Sequence, residues 1–430
     1  MSRRVQLVEF ARDGDWSVVA GAGLFVALAA GGYYYNITFV QLGLVDLGTT
    51  VVGLDGDTVS TWMAGFALLT VAVAVATGWT MDRRGWSRSV LTKLRLVTLT
   101  VAAQLLLVVV APLVRSPAGF GALVVWCSLS LGVAVPATFA LAVDLVPVPD
   151  RGAVGAAATA GAFGIGAVYP LEWDVVAFSR VMAVAIVPAL VVLGTLAVRE
   201  NALVARWDRQ RERFGVGRFR RTEDVTTRTL TFWVLVLLLF GAFFVDSLGF
   251  LRIVETPSLV GGSWQSPDVG VRVAIAASHV AGAIAAAVLY RNFGRTWLFC
   301  WVFGTFAVTH LLYTFAVRFD TGGSVLAMPL FYALAVSLYT TFNFALWADL
   351  STPADVGLHT AVGVGVAGWT ATFLSTALAL SFEARGVTLL AHLELVNALA
   401  VVLTLVVGTL LYVRWALAGR ERDRRREVRQ

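Results

Sequence analysis

One pattern occurs twice in the chain, about half its length apart, and each copy closes an apolar run long enough to be a membrane helix. Phe139-Ala140-Leu141 with Asp144-Leu145, followed by Asp150 and Gly152, returns 205 residues later as Phe344-Ala345-Leu346 with Asp349-Leu350, followed by Asp355 and Gly357. Two looser pairings keep nearly the same interval. Gly31-Gly32-Tyr33-Tyr34-Tyr35-Asn36 matches Gly241-Ala242-Phe243-Phe244-Val245-Asp246, and Asp82-Arg83-Arg84-Gly85 matches Arg291-Asn292-Phe293-Gly294. A duplicated membrane unit restricts the fold to two equivalent helical halves. Many carriers use that arrangement to build a site that can face either side of the bilayer.

The chain is 58% hydrophobic and 14% charged, against roughly 25% charged in a soluble domain. It has too little polar surface to cover a water-soluble globule and is expected to be an integral membrane protein. At about 1.5 Å rise per residue, an apolar core of about 30 Å needs roughly 20 residues per helix. Twelve runs qualify: 17–40, 59–80, 90–112, 119–145, 151–170, 177–198, 229–254, 270–290, 296–316, 325–349, 356–381 and 392–414. Long alternating strands are missing, which argues against a barrel. The expected fold is an all-α polytopic bundle of twelve transmembrane helices in two pseudo-symmetric six-helix halves.

Twelve crossings leave both termini on one side, and the segments on that side hold 27 of the 33 Lys and Arg. By the positive-inside rule that side is cytoplasmic. The outer loop 41–58 carries Asp46, Asp55 and Asp57 with no basic residue. The net charge of +6 is therefore a topology signal and an inner-leaflet anchor, not a nucleic-acid footprint. A single Lys among the basic residues points to a GC-rich prokaryotic genome, and the plasma membrane is the expected location. Cys127 and Cys300 lie far apart inside predicted helices and offer neither a disulfide framework nor metal-binding spacing. The first apolar run is too long for a removable signal peptide and is read as helix 1.

Residues 199–228 form the one long polar segment. As a cytoplasmic linker it divides an N-terminal half, 1–198, from a C-terminal half, 229–430, whose tail is basic and expected to be disordered or a frayed helix. Within the linker, 203–214 suits either a helix lying along the membrane surface or a solvated connector. Helix 5 spaces Gly152, Ala156, Ala160 and Gly164 four residues apart, and helix 11 repeats this with Gly357, Ala361 and Gly365. Such ridges let another helix approach closely. No zinc-protease motif, nucleotide loop, nucleophile elbow or metal-ligand cluster occurs, so neither an enzyme nor a cofactor is expected.

Gly78-Trp79-Thr80-Met81-Asp82-Arg83-Arg84-Gly85, in the loop after helix 2, resembles the signature of the major facilitator superfamily. The chain departs from that pattern after Gly85, where Trp86 and Ser87 stand in place of a basic pair and Arg88 follows one position late. In the second copy Arg291 replaces the acid. The residues themselves suggest a tight turn at Gly85, close packing at Gly78, and an Asp82 carboxylate paired with Arg83 or Arg88 or placed at the positive N-terminal end of helix 11. The resemblance implies that this cluster latches the inner face, with Asp144 a partner of Arg83. The repeated Asp144 and Asp349 read as structural and gating acids, and Asp150 and Asp355 are placed to cap helices 5 and 11.

An ionisable side chain inside a spanning helix is a functional hypothesis by default. Asp246 of helix 7 is the foremost such residue. The family arrangement of helices 1, 4, 7 and 10 around a cavity would let it face Asn36, its repeat partner, beside Tyr33 and Phe243. It could exchange a proton, bind a cationic solute, or pair permanently with Arg252. Helix 10 contributes Tyr332, Tyr339, Asn343 and Trp347 on one face, either a cavity wall or plain packing. His279 and His310 could relay protons or simply pack. The expected function is transport of a small solute by an ion-coupled (proton-coupled) monomeric secondary carrier among membrane lipids. The alternative is a membrane scaffold or sensor that kept the fold and lost transport.

Overall fold

The structure is a computed structural model that describes residues 6–169, 174–199, 201–220, 225–293, 295–319 and 327–427. Pro170, Gly294 and the last three residues of the tail, all part of the sequence expectations, lie outside the described residues. Among the described residues, eleven helices are long and apolar enough to cross a membrane. We number the membrane helices α1 (Trp16–Val51), α2 (Gly56–Arg83), α3 (Val90–Val110), α4 (Pro117–Leu145), α5 (Arg151–Val168), α6 (Val175–Val198), α7 (Leu230–Glu255), α8 (Val269–Asn292), α9 (Arg295–Arg318), α10 (Ala327–Asp349), α11 (Val356–Ala384) and α12 (Leu389–Glu427). The twelfth, α5, is 18 residues long and made largely of Gly and Ala. It packs against α1, α8 and α10, so its small side chains serve helix contact rather than lipid. The protein is a multi-pass helical membrane bundle.

Helix boundaries follow local capping chemistry. The Asp55, Asp174 and Asp268 side chains accept backbone N–H bonds at the starts of α2, α6 and α8, at 2.7–2.8 Å, and each satisfies a donor that a helix start leaves open. Asp150 and Asp355 do not act this way, which corrects the sequence expectation. Asp150 accepts from the N–H groups of Gln6 and Leu7 and so anchors the N-terminal helix Gln6–Arg12. Its burial pushes the carboxyl above the usual range, against the pull of those two amides. Asp355 folds back on Thr352 and meets Arg220 at 3.3 Å. Helix α1 is longer than the sequence suggested. Instead of an outer loop from 41, it continues to Val51 through π-helical stretches at Asn36–Gly43 and Leu47–Val51. Asp46, expected in that loop, sits within the helix and accepts the Val175 N–H at 2.8 Å.

The two halves meet along α2 against α11 and α5 against α8 and α10. Phe139 and Phe344, equivalent residues of the sequence repeat, stack on each other with centroids 5.4 Å apart. A residue and its repeat partner can touch only near the pseudo-two-fold axis, so the duplication seen in sequence is a symmetry of the folded bundle. The α2–α11 crossing is tight at Gly78: a Cβ there would run into the Gly357 carbonyl and lie 2.7 Å from the Ala361 Cβ. Gly78→Ala is therefore expected to destabilise the protein by about 1–3 kcal/mol through overpacking, measured as the denaturant midpoint in detergent. Unchanged stability would mean that the crossing adjusts freely. Gly85 takes φ +73 and makes the turn after α2.

Residues Ala202–Phe214 form a helix, but not one lying along the membrane surface as one of the two sequence readings had it. Its apolar face does not lie on lipid. Trp207, 1% exposed, donates its indole N–H to the Ser17 carbonyl at 2.8 Å, and Gln210 reaches Ser17 and Asp15. The bundle itself thus covers the hydrophobic side. The charged tail extends α12 helically to Glu427.

Candidate functional site

At the centre of the bundle, α1, α5, α7, α8, α10 and α11 enclose a cavity whose free space for water-sized spheres is about 20 Å³, enough for one or two waters. Its wall is mostly aromatic: Tyr33, Phe163, Phe250, Trp264, Tyr332 and Trp369. Asp246 points in from α7 and is the only charged side chain among the described lining residues. Its two carboxylate oxygens accept the hydroxyls of Tyr332 and Tyr339, both on α10. Among the described residues it takes part in no ion pair. Arg252, the sequence candidate for a permanent partner, bonds Glu383 at 2.9 Å instead.

Contacts between the two halves cross on either side of the cavity. On the side away from the arginines, Gln41 donates to Thr376 at 2.9 Å and Ser60 donates to the Ala377 carbonyl at 2.7 Å, joining α1 and α2 to α11. Trp264, from the α7–α8 connection, lies against Phe163 of α5 with centroids 5.5 Å apart and donates to His279 Nε2 at 3.3 Å. His279 Nδ1 in turn meets Ser337 at 2.9 Å. Because Nε2 accepts, Nδ1 carries the proton, so this histidine is a bonded wall residue.

At the arginine-rich end two polar contacts tie the halves together. Asp82, at the end of α2, accepts the N–H groups of Gly357 and Leu358 at 2.9 and 2.8 Å, and the Ser87 hydroxyl as well. An anion thus sits on the positive N-terminus of α11, one of the placements foreseen. Asp349, at the end of α10, binds Arg151 of α5 at 2.8 Å and accepts the Tyr290 hydroxyl at 2.8 Å. Both members of the pair are essentially unexposed.

Several expected contacts are not made. Asp144 does not meet Arg83; it pairs with Lys93, the only lysine in the chain, and lies 3.7 Å from Arg211 of the linker. Arg83 is exposed at the end of α2 and covers the Trp79 ring, which turns it away from the bundle interior. Arg88 is exposed too; its carbonyl accepts from Arg211 and its backbone N–H donates to the Gly85 carbonyl. Asn36 does not face Asp246: within the π-helical stretch its amide donates to the Gly32 carbonyl at 2.7 Å. Asn343 accepts from the Trp347 indole at 2.8 Å, and Phe243 packs on Tyr339 with centroids 4.5 Å apart. These three stand outside the lining residues, whereas Tyr33 and Asp246 line the space and Tyr339 reaches it through Asp246. Phe163, Trp264 and Trp369 were not singled out in the sequence. Single aromatics in an apolar chain carry no signal there; of the wall aromatics, Tyr33 was singled out beside Asn36 and Tyr332 in the helix-10 stripe.

The described residues form a helical membrane bundle of two pseudo-symmetric halves around a central cavity. The fold is that of the major facilitator superfamily. The chain is similar to the proton:xylose symporter XylE bound to 6-bromo-6-deoxy-D-glucose (14% identity, 91% of this chain and 94% of that chain, TM-score 0.59). It is similar to XylE from E. coli in a partially occluded inward-open conformation (16%, 91% and 96%, 0.60). It also matches the human organic anion transporter MFSD10 (17%, 91% and 99%, 0.56). No protein-family model and no curated protein sequence matches the chain.

Proposed function

We propose that the protein is a secondary carrier that moves a small solute by alternating access, with coupling to protons or another ion. The units that rock are 1–198 and 229–430, joined by the linker 199–228, and the solute site is the cavity around Asp246 with Tyr33 and Tyr339. Phe243, Asn343 and Asn36 shape the wall behind it. The arginine-rich end faces the cytoplasm with both termini, in the plasma membrane of a prokaryote. The observation that carries this reading is a central cavity with one charged side chain among its described lining residues, flanked at each end by contacts that cross between the halves. Those contacts are local and polar at the basic end: Asp82 on the start of α11, and Arg151 with Asp349. Polar contacts of this kind suit a two-state latch because they can be exchanged for water when the face opens. Gly78 and Gly85 give the latch its close approach and its turn. Asp144, held by Lys93, stiffens the N-terminal half, and Arg83 and Arg88 keep the loop at the membrane surface. The XylE and MFSD10 neighbours, as transporters, support the same reading.

The test is thiol accessibility in a background lacking Cys127 and Cys300. Ala345→Cys reports the basic end, where α10 meets Gly155 of α5; Ala377→Cys reports the opposite end. Adding Asp349→Asn, which weakens the latch, is expected to raise labelling at 345 severalfold and lower it at 377. A scaffold or sensor without alternating access would show no reciprocal change at 377, and that result would remove the carrier reading.

A further inference from the structure

We propose that the solute is a small organic monocation, an ammonium head group bound between the aromatic walls and the Asp246 carboxylate; this rests on the carrier reading above. The cavity carries one negative charge and, among the described lining residues, no positive one. The nearest arginine on α7, Arg252, is committed to Glu383, and Lys93 and Arg151 are held by Asp144 and Asp349 at the basic end. An organic anion entering this space would meet a carboxylate and the negative faces of aromatic rings. A polyol would find few free partners, because Gln41 is bonded to Thr376 and His279 to both Ser337 and Trp264. A cation gains from both features at once: ring faces attract it through their quadrupoles, most strongly when water is excluded, and the carboxylate balances its charge. Trp369 adds a directional element. Its Nε1 is buried and has no acceptor among the described residues, so it can donate to a hydroxyl or carbonyl on the ligand. In this state the space holds only one or two waters, so the head group enters when the halves part and the cavity widens, and a compact one needs the least widening.

The experiment is equilibrium binding to the purified full-length protein in detergent, by titration calorimetry. The probes are choline, its neutral isostere 3,3-dimethylbutan-1-ol, benzoate and xylose. Choline is expected to bind about 30-fold or more tightly than the isostere, the ratio that a desolvated cation–π contact alone supplies. Asp246→Asn is expected to abolish that preference and Asp246→Glu to keep part of it, with unfolding midpoints confirming that both variants fold. Equal binding of choline and its isostere would overturn the assignment, as would choline binding untouched in Asp246→Asn, no choline binding, or preferential binding of benzoate or xylose. None of these outcomes bears on reciprocal labelling at 345 and 377, so a wrong solute class and a wrong carrier reading remain separable.

Discussion

Asp349→Ala is expected to cost about 3–5 kcal/mol of stability, the usual penalty for removing one partner of a buried ion pair. The Arg151 side chain is 1% exposed and that of Asp349 is 0%, so water cannot take over the lost contact without parting the helices. Arg151 has no reserve, because its Nε and second terminal nitrogen are already buried without partners. The Tyr290 hydroxyl loses its acceptor in the same stroke. Asp349→Asn keeps one acceptor, its amide oxygen for Arg151, while its NH2 can donate to the Tyr290 hydroxyl, and it should cost less. The double variant Asp349→Leu with Arg151→Met should recover most of the loss, since an apolar pair of similar volume can replace a buried ion pair at little cost. Denaturant midpoints in detergent decide the matter: a double variant that loses the sum of the two single losses would show that the two side chains do not depend on each other.

Lys93→Met is expected to cost about 3 kcal/mol, the lower end of the same range. Lys93 and Asp144 are both fully buried, and the ammonium also donates to the Ser87 carbonyl at 2.8 Å, tying the loop after α2 to α3. The loss stops short of the Asp349 value because Arg211 remains 3.7 Å from Asp144, on a side chain that is 20% exposed. Removing Arg211 as well should therefore cost more in the Lys93→Met background than in wild type, a coupling that a double-mutant cycle reads directly. Additive losses would show that Arg211 does not shield the acid. The two repeated aspartates are thus equivalent in sequence and unequal in use. Asp144 takes its cation from within its own half, whereas Asp349 takes it from the other.

Much of the fold was legible because membranes impose one-dimensional rules. Spanning length and duplication are linear properties, and spanning length located most of the crossings. Helix ends were read less well at α1, because π turns keep a helix going through Asn36–Val51 where polarity suggests a loop. The candidate site was legible at Asp246, along α10 and at Tyr33, where a charge in an apolar run, a regular stripe and a repeated aromatic segment stand out. Pairing was not legible. Arg83 follows Asp82 directly and looked like the gate cation, but one position along a helix rotates a side chain by about 100°, which puts Arg83 on the surface.

By itself, the sequence determined that this chain crosses the membrane about twelve times, that its halves are copies, and that an unusual carboxylate lies within the seventh helix. Those conclusions follow from hydropathy and periodicity, which the bilayer enforces residue by residue. Only the tertiary structure decided the partners: Lys93 for Asp144, Arg151 for Asp349, two tyrosines for Asp246, and none of the described cations for that last charge. Partner choice depends on helix rotation and crossing, set by many packing contacts between segments far apart in the chain. No local stretch of sequence carries that information.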